Sequence, residues 1–173
     1  MSTRHLIEGL ARRPVTERPP RRDDAALAEL AAALDRASRS RLGHSLSLRE
    51  VDAGSCNGCE LELIALNNAF YDLERFGIRF VASPRHADVL MVTGPVTKNM
   101  REALEFTYNA TPNPKWVVAV GDCARDGGMF AGSYAVVGGV DQVVPVDLHI
   151  HGCPPRPLEI ISGLLALLER VRR

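Results

Sequence analysis

The 173-residue chain has no excess of charge of either sign, with 21 lysines and arginines against 21 aspartates and glutamates. It therefore carries no bulk positive field, and nucleic acid is not an expected partner. Long apolar runs are also missing. The longest candidates, residues 116–120 and 164–168, fall far short of the roughly 18 apolar residues of a spanning helix, so the chain is not expected to cross a membrane by itself. Arginine pairs occur at Arg12-Arg13 and Arg21-Arg22, but Pro14, Asp23 and Asp24 follow them instead of the apolar stretch of about 7–15 residues that an export signal needs. Neither GxGxxG nor GxxxxGK is present, so dinucleotide and P-loop nucleotide binding lack their local signature. No internal repeat is found. These absences point to a cytosolic protein, where thiols stay reduced and cysteines serve as ligands or catalysts more often than as disulfides.

What is present fits one globular domain with a sizeable core, at 46% hydrophobic and 24% charged residues. Residues 1–22 hold six arginines (4, 12, 13, 18, 21 and 22) and three prolines, a composition read as a flexible basic arm. Residues 23–44 form an amphipathic helix with Leu27, Leu30, Leu34 and Ala37 on one stripe and Asp23 or Asp24 as cap. That stripe either packs on the domain or docks to a partner subunit. From residue 45 to 173, strand-like and helix-like segments alternate: SLSLREV, a helix over ELELIALNNAFYDLERFG, IRFVA, DVLMVTG, a polar helix near residues 97–109, KWVVAVG, VVPVD, and a last helix in PLEIISGLLALLERV. This βαβ-like order, with apolar runs that do not alternate, predicts an α/β fold: a flavodoxin-like three-layer sandwich around a mostly parallel sheet, preceded by an N-terminal extension.

Cysteine is scarce, and its placement is the most informative feature of the chain. Cys56, Cys59, Cys123 and Cys153 make a close pair and two distant singles, each following a predicted strand. Ligands of open parallel sheets bind outside the carboxyl ends of strands, so the loops that carry these residues converge there. Four soft thiolates at one point select zinc or an iron-sulfur cluster. Glycine crowds every ligand loop at positions 54, 58, 121, 127, 128 and 152, where backbone N–H groups approach sulfur closely, and this favours an all-cysteine 4Fe-4S site. Cys59 at a helix start and the proline after Cys153 agree with that reading. The pair alone would suit a thioredoxin-like dithiol, which leaves Cys123 and Cys153 idle. A zinc interaction module without redox function is the alternative from another class.

The segments DAGSCNGCELE, YDLERFGIRFVASPRHADVLMVTGPVTKNM, VAVGDCARDGGMF and SYAVVGGVDQVVPVDLHIHGCPPRP resemble, from about Leu46 onward, the small iron-sulfur subunit shared by nickel-iron hydrogenases and the B subunit of respiratory complex I. The resemblance implies one 4Fe-4S cluster bound by Cys56, Cys59, Cys123 and Cys153. The two-residue gap between the first cysteines resembles the hydrogenase branch, whereas complex I relatives have adjacent cysteines. Within that branch the likeness is to the formate hydrogenlyase and energy-converting type. It implies an electron-transfer subunit that is not itself catalytic. The implied partners are a ferredoxin-like iron-sulfur subunit, a nickel-iron-type large subunit and, through the complex, integral membrane subunits on the cytoplasmic face. A nickel-free or quinone-reducing relative is the alternative within the fold.

Glu62 resembles the acidic residue that faces the large subunit in this family, where it either moves protons or caps the helix. His151 and Arg125 lie two residues from Cys153 and Cys123, and each either tunes the cluster or faces solvent. Arg75 reads as structural. The loop of Thr93, Gly94, Pro95, Val96 and Thr97 reads equally as cluster lining and as subunit contact.

Overall fold

The computed structural model describes residues 24–170. The arm over residues 1–22 and the side chains of the capping candidates Asp23 and Asp24 lie outside the described residues. The first element, α1 (Asp24–Leu42), presents Leu27, Ala31 and Leu34 at helical spacing, and all three are buried. It ends at Gly43, whose φ of 82° is the left-handed conformation a glycine supplies freely and whose N–H reaches the Arg39 carbonyl at 3.0 Å.

Five strands form the main sheet: β1 (Ser47–Asp52), β2 (Arg79–Phe80), β3 (Val89–Thr93), β5 (Trp116–Val120) and β7 (Leu148–Ile150). All pairings are parallel, in the order β2-β1-β3-β5-β7. This is the flavodoxin-like α/β sandwich anticipated from the sequence. A short antiparallel ribbon of β4 (Val96–Thr97) and β6 (Val136–Gly138) adds to it. The helices are α2 (Gly58–Ala65), α3 (Lys98–Ala110), α4 (Asp122–Asp126) and α5 (Pro157–Arg170).

Successive side chains of the central strands feed two separate cores, as a sheet covered on both faces requires. Val89, Met91, Val118 and Val120 join α1, α2 and α5 through Leu34, Leu63, Ile160 and Leu164. Leu90, Val92, Val117 and Ala119 join α3 and α4 on the other face through Leu104 and Ala124. Each buried valine, leucine, isoleucine or methionine among them contributes about 1.5–3 kcal/mol of hydrophobic stabilisation. The stripe of α1 is thus covered by α5 of the same chain, with Leu30 and Ala37 packed at its border, and offers no open docking face.

Two elements depart from the sequence expectation. The helix over ELELIALNNAFYDLERFG stops at Ala65, because the Asn68 side chain accepts the Phe70 and Tyr71 N–H groups at 2.8 and 3.0 Å and so folds a turn that competes with the helix. Only a short 3₁₀ turn, Leu73–Phe76, follows. The strand in VVPVD lies instead at Leu148–Ile150. Pro145 has no N–H to give a ladder, and Asp147 bonds Val117 at both its carboxylate (2.7 Å) and its N–H (2.9 Å), so regular pairing starts only beyond it.

Candidate metal centre

The strand order reverses between β1 and β3, and the crevice at the carboxyl ends beside this point is where such sheets bind ligands. Three loops meet there. In the first, Asp52 Oδ1 accepts the Gly54 and Ser55 N–H groups, both at 2.8 Å, and Ser55 Oγ accepts the Asn57 N–H at 2.9 Å. Asn57, at a φ of 72°, then turns the chain into α2, so Cys56 stands before the helix and Cys59 in its first turn. The second loop leaves β5 through Gly121 and carries Cys123 in α4. The third leaves β7 and carries Cys153; it is tied to the second by the Gly121 N–H on Ile150 O (2.8 Å) and the Asp122 N–H on Gly152 O (2.9 Å).

All four thiols line one small cavity of about 70 Å³, closed by Ser55, Gly58, Gly94, Asp122, Gly152 and Pro154. The glycines are needed at this closeness. A Cβ on Gly121 would stand 2.6 Å from Cys59 Sγ, and one on Gly128 would stand 2.8 Å from Cys123 Sγ. A much larger open groove of about 1000 Å³ lies at the amino ends of the strands around Ser47, Arg79 and Asp88, away from every thiol.

Two of the thiols, Cys59 and Cys123, resist ionisation. Burial, then the charges of Glu60 and of the other three cysteines, push the Cys59 thiol up to about 12. Cys123 is raised by burial first and then by Cys153 and Cys56, while the Met129 backbone N–H, donated to it, acts the other way. A cationic metal core would remove this repulsion, and the residues fit one: four soft donors, a glycine cradle, and a backbone donor aimed at sulfur. Among the described residues, no group of three or more His, Cys, Asp or Glu side chains is gathered to hold a single ion.

Glu60 is a feature that sequence reasoning missed. It follows Cys59 directly, is 6% exposed, and neither carboxylate oxygen has a hydrogen-bond partner. Its charge reaches β1, where burial first and then Glu60 and Asp52 raise the Glu50 carboxyl, with Arg49 opposing. Glu62 is half-buried on α2 and does not line the thiol cavity. Gly94 does line it, and Thr97 Oγ1 donates to Ala53 O at 3.1 Å, so the 93–97 loop braces the Cys56 loop. Arg75 is exposed, 3.7 Å from Asp72 and over the Phe76 ring, and does not line the thiol cavity. Arg125 and His151 contact each other, Arg125 Nη1 standing 3.0 Å from His151 Nδ1.

Fold and site together define a class: a flavodoxin-like domain with four thiols lining one pocket at the sheet's switch point. The chain belongs to the family described as NADH ubiquinone oxidoreductase, 20 Kd subunit, whose pattern matches residues 56–167 and so spans all four cysteines. It is 45% identical over 132 residues to the probable membrane-bound hydrogenase subunit mbhJ of Pyrococcus furiosus, covering 76% of this chain and 79% of that one. It is 53% identical over 126 residues to an uncharacterized protein of Methanocaldococcus jannaschii, covering 73% and 84%. Among solved structures, a chain of the membrane-bound sulfane sulfur reductase, an archaeal respiratory membrane complex, superposes with a TM-score of 0.65 at 36% identity, covering 80% of this chain and 74% of that one. This is a family of oxidoreductase-complex subunits of the membrane-bound hydrogenase and complex I kind. No helix among the described residues is long and apolar enough to cross a membrane.

Proposed function

We propose that Cys56, Cys59, Cys123 and Cys153 hold one 4Fe-4S cluster and that the chain is the electron-relay subunit of a multisubunit, membrane-associated hydrogenase. The observation that carries this reading is the convergence of the four thiols on one cavity from loops after β1, β5 and β7. The hydrogenase relative and the two-residue gap between Cys56 and Cys59 support the hydrogenase branch over a complex I-like one. When bound, such a cluster accepts and releases one electron.

The chain's own part is to hold and tune. Its loops bring four sulfurs to the ends of one sheet, Cys59 and Cys123 half-buried and Cys56 and Cys153 exposed, and the Met129 N–H donates to Cys123. The sequence has four cysteines, enough for one cluster, so electrons pass to or from a separate ferredoxin-like iron-sulfur subunit. The terminal partner on this reading is a nickel-iron-type large subunit, and membrane attachment runs through integral subunits on the cytoplasmic side. Exposed apolar side chains near the site, Leu61 and Ile64 on α2 and Met129 after Cys123, suit burial under such partners.

Cys123→Ser and Cys153→Ser, made singly in the co-expressed complex, test the reading. Each is expected to lower iron content and abolish the EPR signal of the reduced subunit. Full iron and unaltered spectra in both variants would remove these cysteines from the site.

A further inference from the structure

Arg125 lies on α4, two residues after Cys123, yet its guanidinium reaches across to the loop of Cys153. Nη1 donates to His151 Nδ1 at 3.0 Å, while Nε and Nη2 hold Asp126 Oδ2 at 3.0 and 2.6 Å. Asp126 in turn accepts the Gly128 N–H at 2.8 Å, at the glycine whose missing Cβ leaves room for Cys123 Sγ. On the other side, Asp122 Oδ1 accepts the Gly152 N–H at 3.3 Å and lies 3.8 Å from both Arg125 and His151. The loops of two ligands that are 30 residues apart in sequence are thereby laced into one network with a permanent positive charge at its centre.

An exposed ion pair of this kind adds little to stability, since solvent screens it and ordering the side chains costs entropy. Its geometric consequence is larger. Three partners fix a guanidinium that would otherwise sample solvent, so its field acts on the thiol cavity from one position.

We propose that Arg125 is a positioning residue that, held by His151 and Asp126, sets the reduction potential of the group bound by the four cysteines. The proposal rests on the cluster reading above. The step it affects is the entry of one electron: no bond forms or breaks and no proton moves, and a fixed positive charge stabilises the form carrying the extra electron. Loss of that charge makes reduction harder.

The test is an EPR-monitored titration of the co-expressed complex at one fixed pH, with dithionite as the electron donor and iron content measured in parallel. Arg125→Gln is expected to retain iron and lower the reduction equilibrium constant about tenfold, a shift of about 59 mV to more negative potential. Arg125→Lys, which restores charge without the fork, is expected to recover at least half of the shift. His151→Leu leaves the guanidinium in the chain but removes its acceptor, and is expected to shift the potential in the same direction by less. An unmoved potential in iron-replete Arg125→Gln, or a shift in Arg125→Lys as large as in the glutamine variant, would overturn the proposal. If Arg125→Gln loses iron, His151→Leu decides: a negative shift supports the proposal and an unmoved potential overturns it. A parent complex in which this chain carries no cluster would instead overturn the functional reading itself.

Discussion

Gly121→Ala probes the closeness of the site most sharply. At φ 89° and ψ 163°, Gly121 occupies a region that essentially only glycine visits, so any side chain there costs about 1–3 kcal/mol in the backbone. The added methyl would also stand 2.6 Å from Cys59 Sγ and 3.3 Å from Gly152 O, two atoms of the ligand loops. Relieving that overlap adds about 1–3 kcal/mol and pushes Cys59 away from the cavity. Gly43→Ala is the control: its φ of 82° imposes a left-handed penalty too, but nothing lies within 4 Å of its Cβ. Urea unfolding of the metal-free protein, with iron content of the loaded form measured alongside, separates the two effects. The expected outcome is a loss of about 2–6 kcal/mol with depleted iron for Gly121→Ala, against a smaller loss with full iron for Gly43→Ala. Equal losses with full iron in both variants would refute the reasoning, because the approach to Cys59 would then carry no weight.

Leu34 on α1 is fully buried against the α5 side of the core, so Leu34→Ala is expected to destabilise by about 2–5 kcal/mol, read as a lowered urea midpoint; an unchanged midpoint would show that α1 is not part of the folded unit. The raised Cys59 and Cys123 thiols give a pH dependence of definite sign. Folded metal-free protein keeps protons that the unfolded chain releases from about 9.0 upward, so its stability is intact below that pH and declines as pH climbs toward about 12. Urea midpoints at neutral pH and near pH 10 check this, and a midpoint that rises with pH would contradict it. The same protons must leave when metal enters, so loading at neutral pH is expected to acidify an unbuffered sample in proportion to the metal bound. Loading without proton release would mean that the thiols are already ionised.

The parts of the fold that were legible in the sequence are those settled by local composition. Residues 89–92 and 116–120 are unbroken apolar runs, and strands with that text are covered on both faces, which already implies the sandwich. The cysteines were legible for a related reason: each follows a strand, and a parallel sheet brings all its strand ends to one side. What escaped depends on partners distant in sequence. The apolar stripe of α1 reads the same whether it faces α5 or another subunit, and only the assembled core decides between them. β7 sits at Leu148–Ile150 because Asp147 captures Val117, thirty residues earlier in the chain, while the valines before it carry the stronger strand text. Glu60 is not singled out by the sequence, being one of two acids in α2. Its burial follows from the position of α2 against β1, which no local pattern announces.

The central claim is that the four cysteines hold one redox-active cluster. Iron and acid-labile sulfide analysis of this subunit, separated from its co-expressed partners without oxygen, with EPR after dithionite reduction, tests it most directly. About four irons and four sulfides per chain are expected, with a signal that appears on one-electron reduction. A colourless subunit with about one zinc per chain and no signal would contradict it.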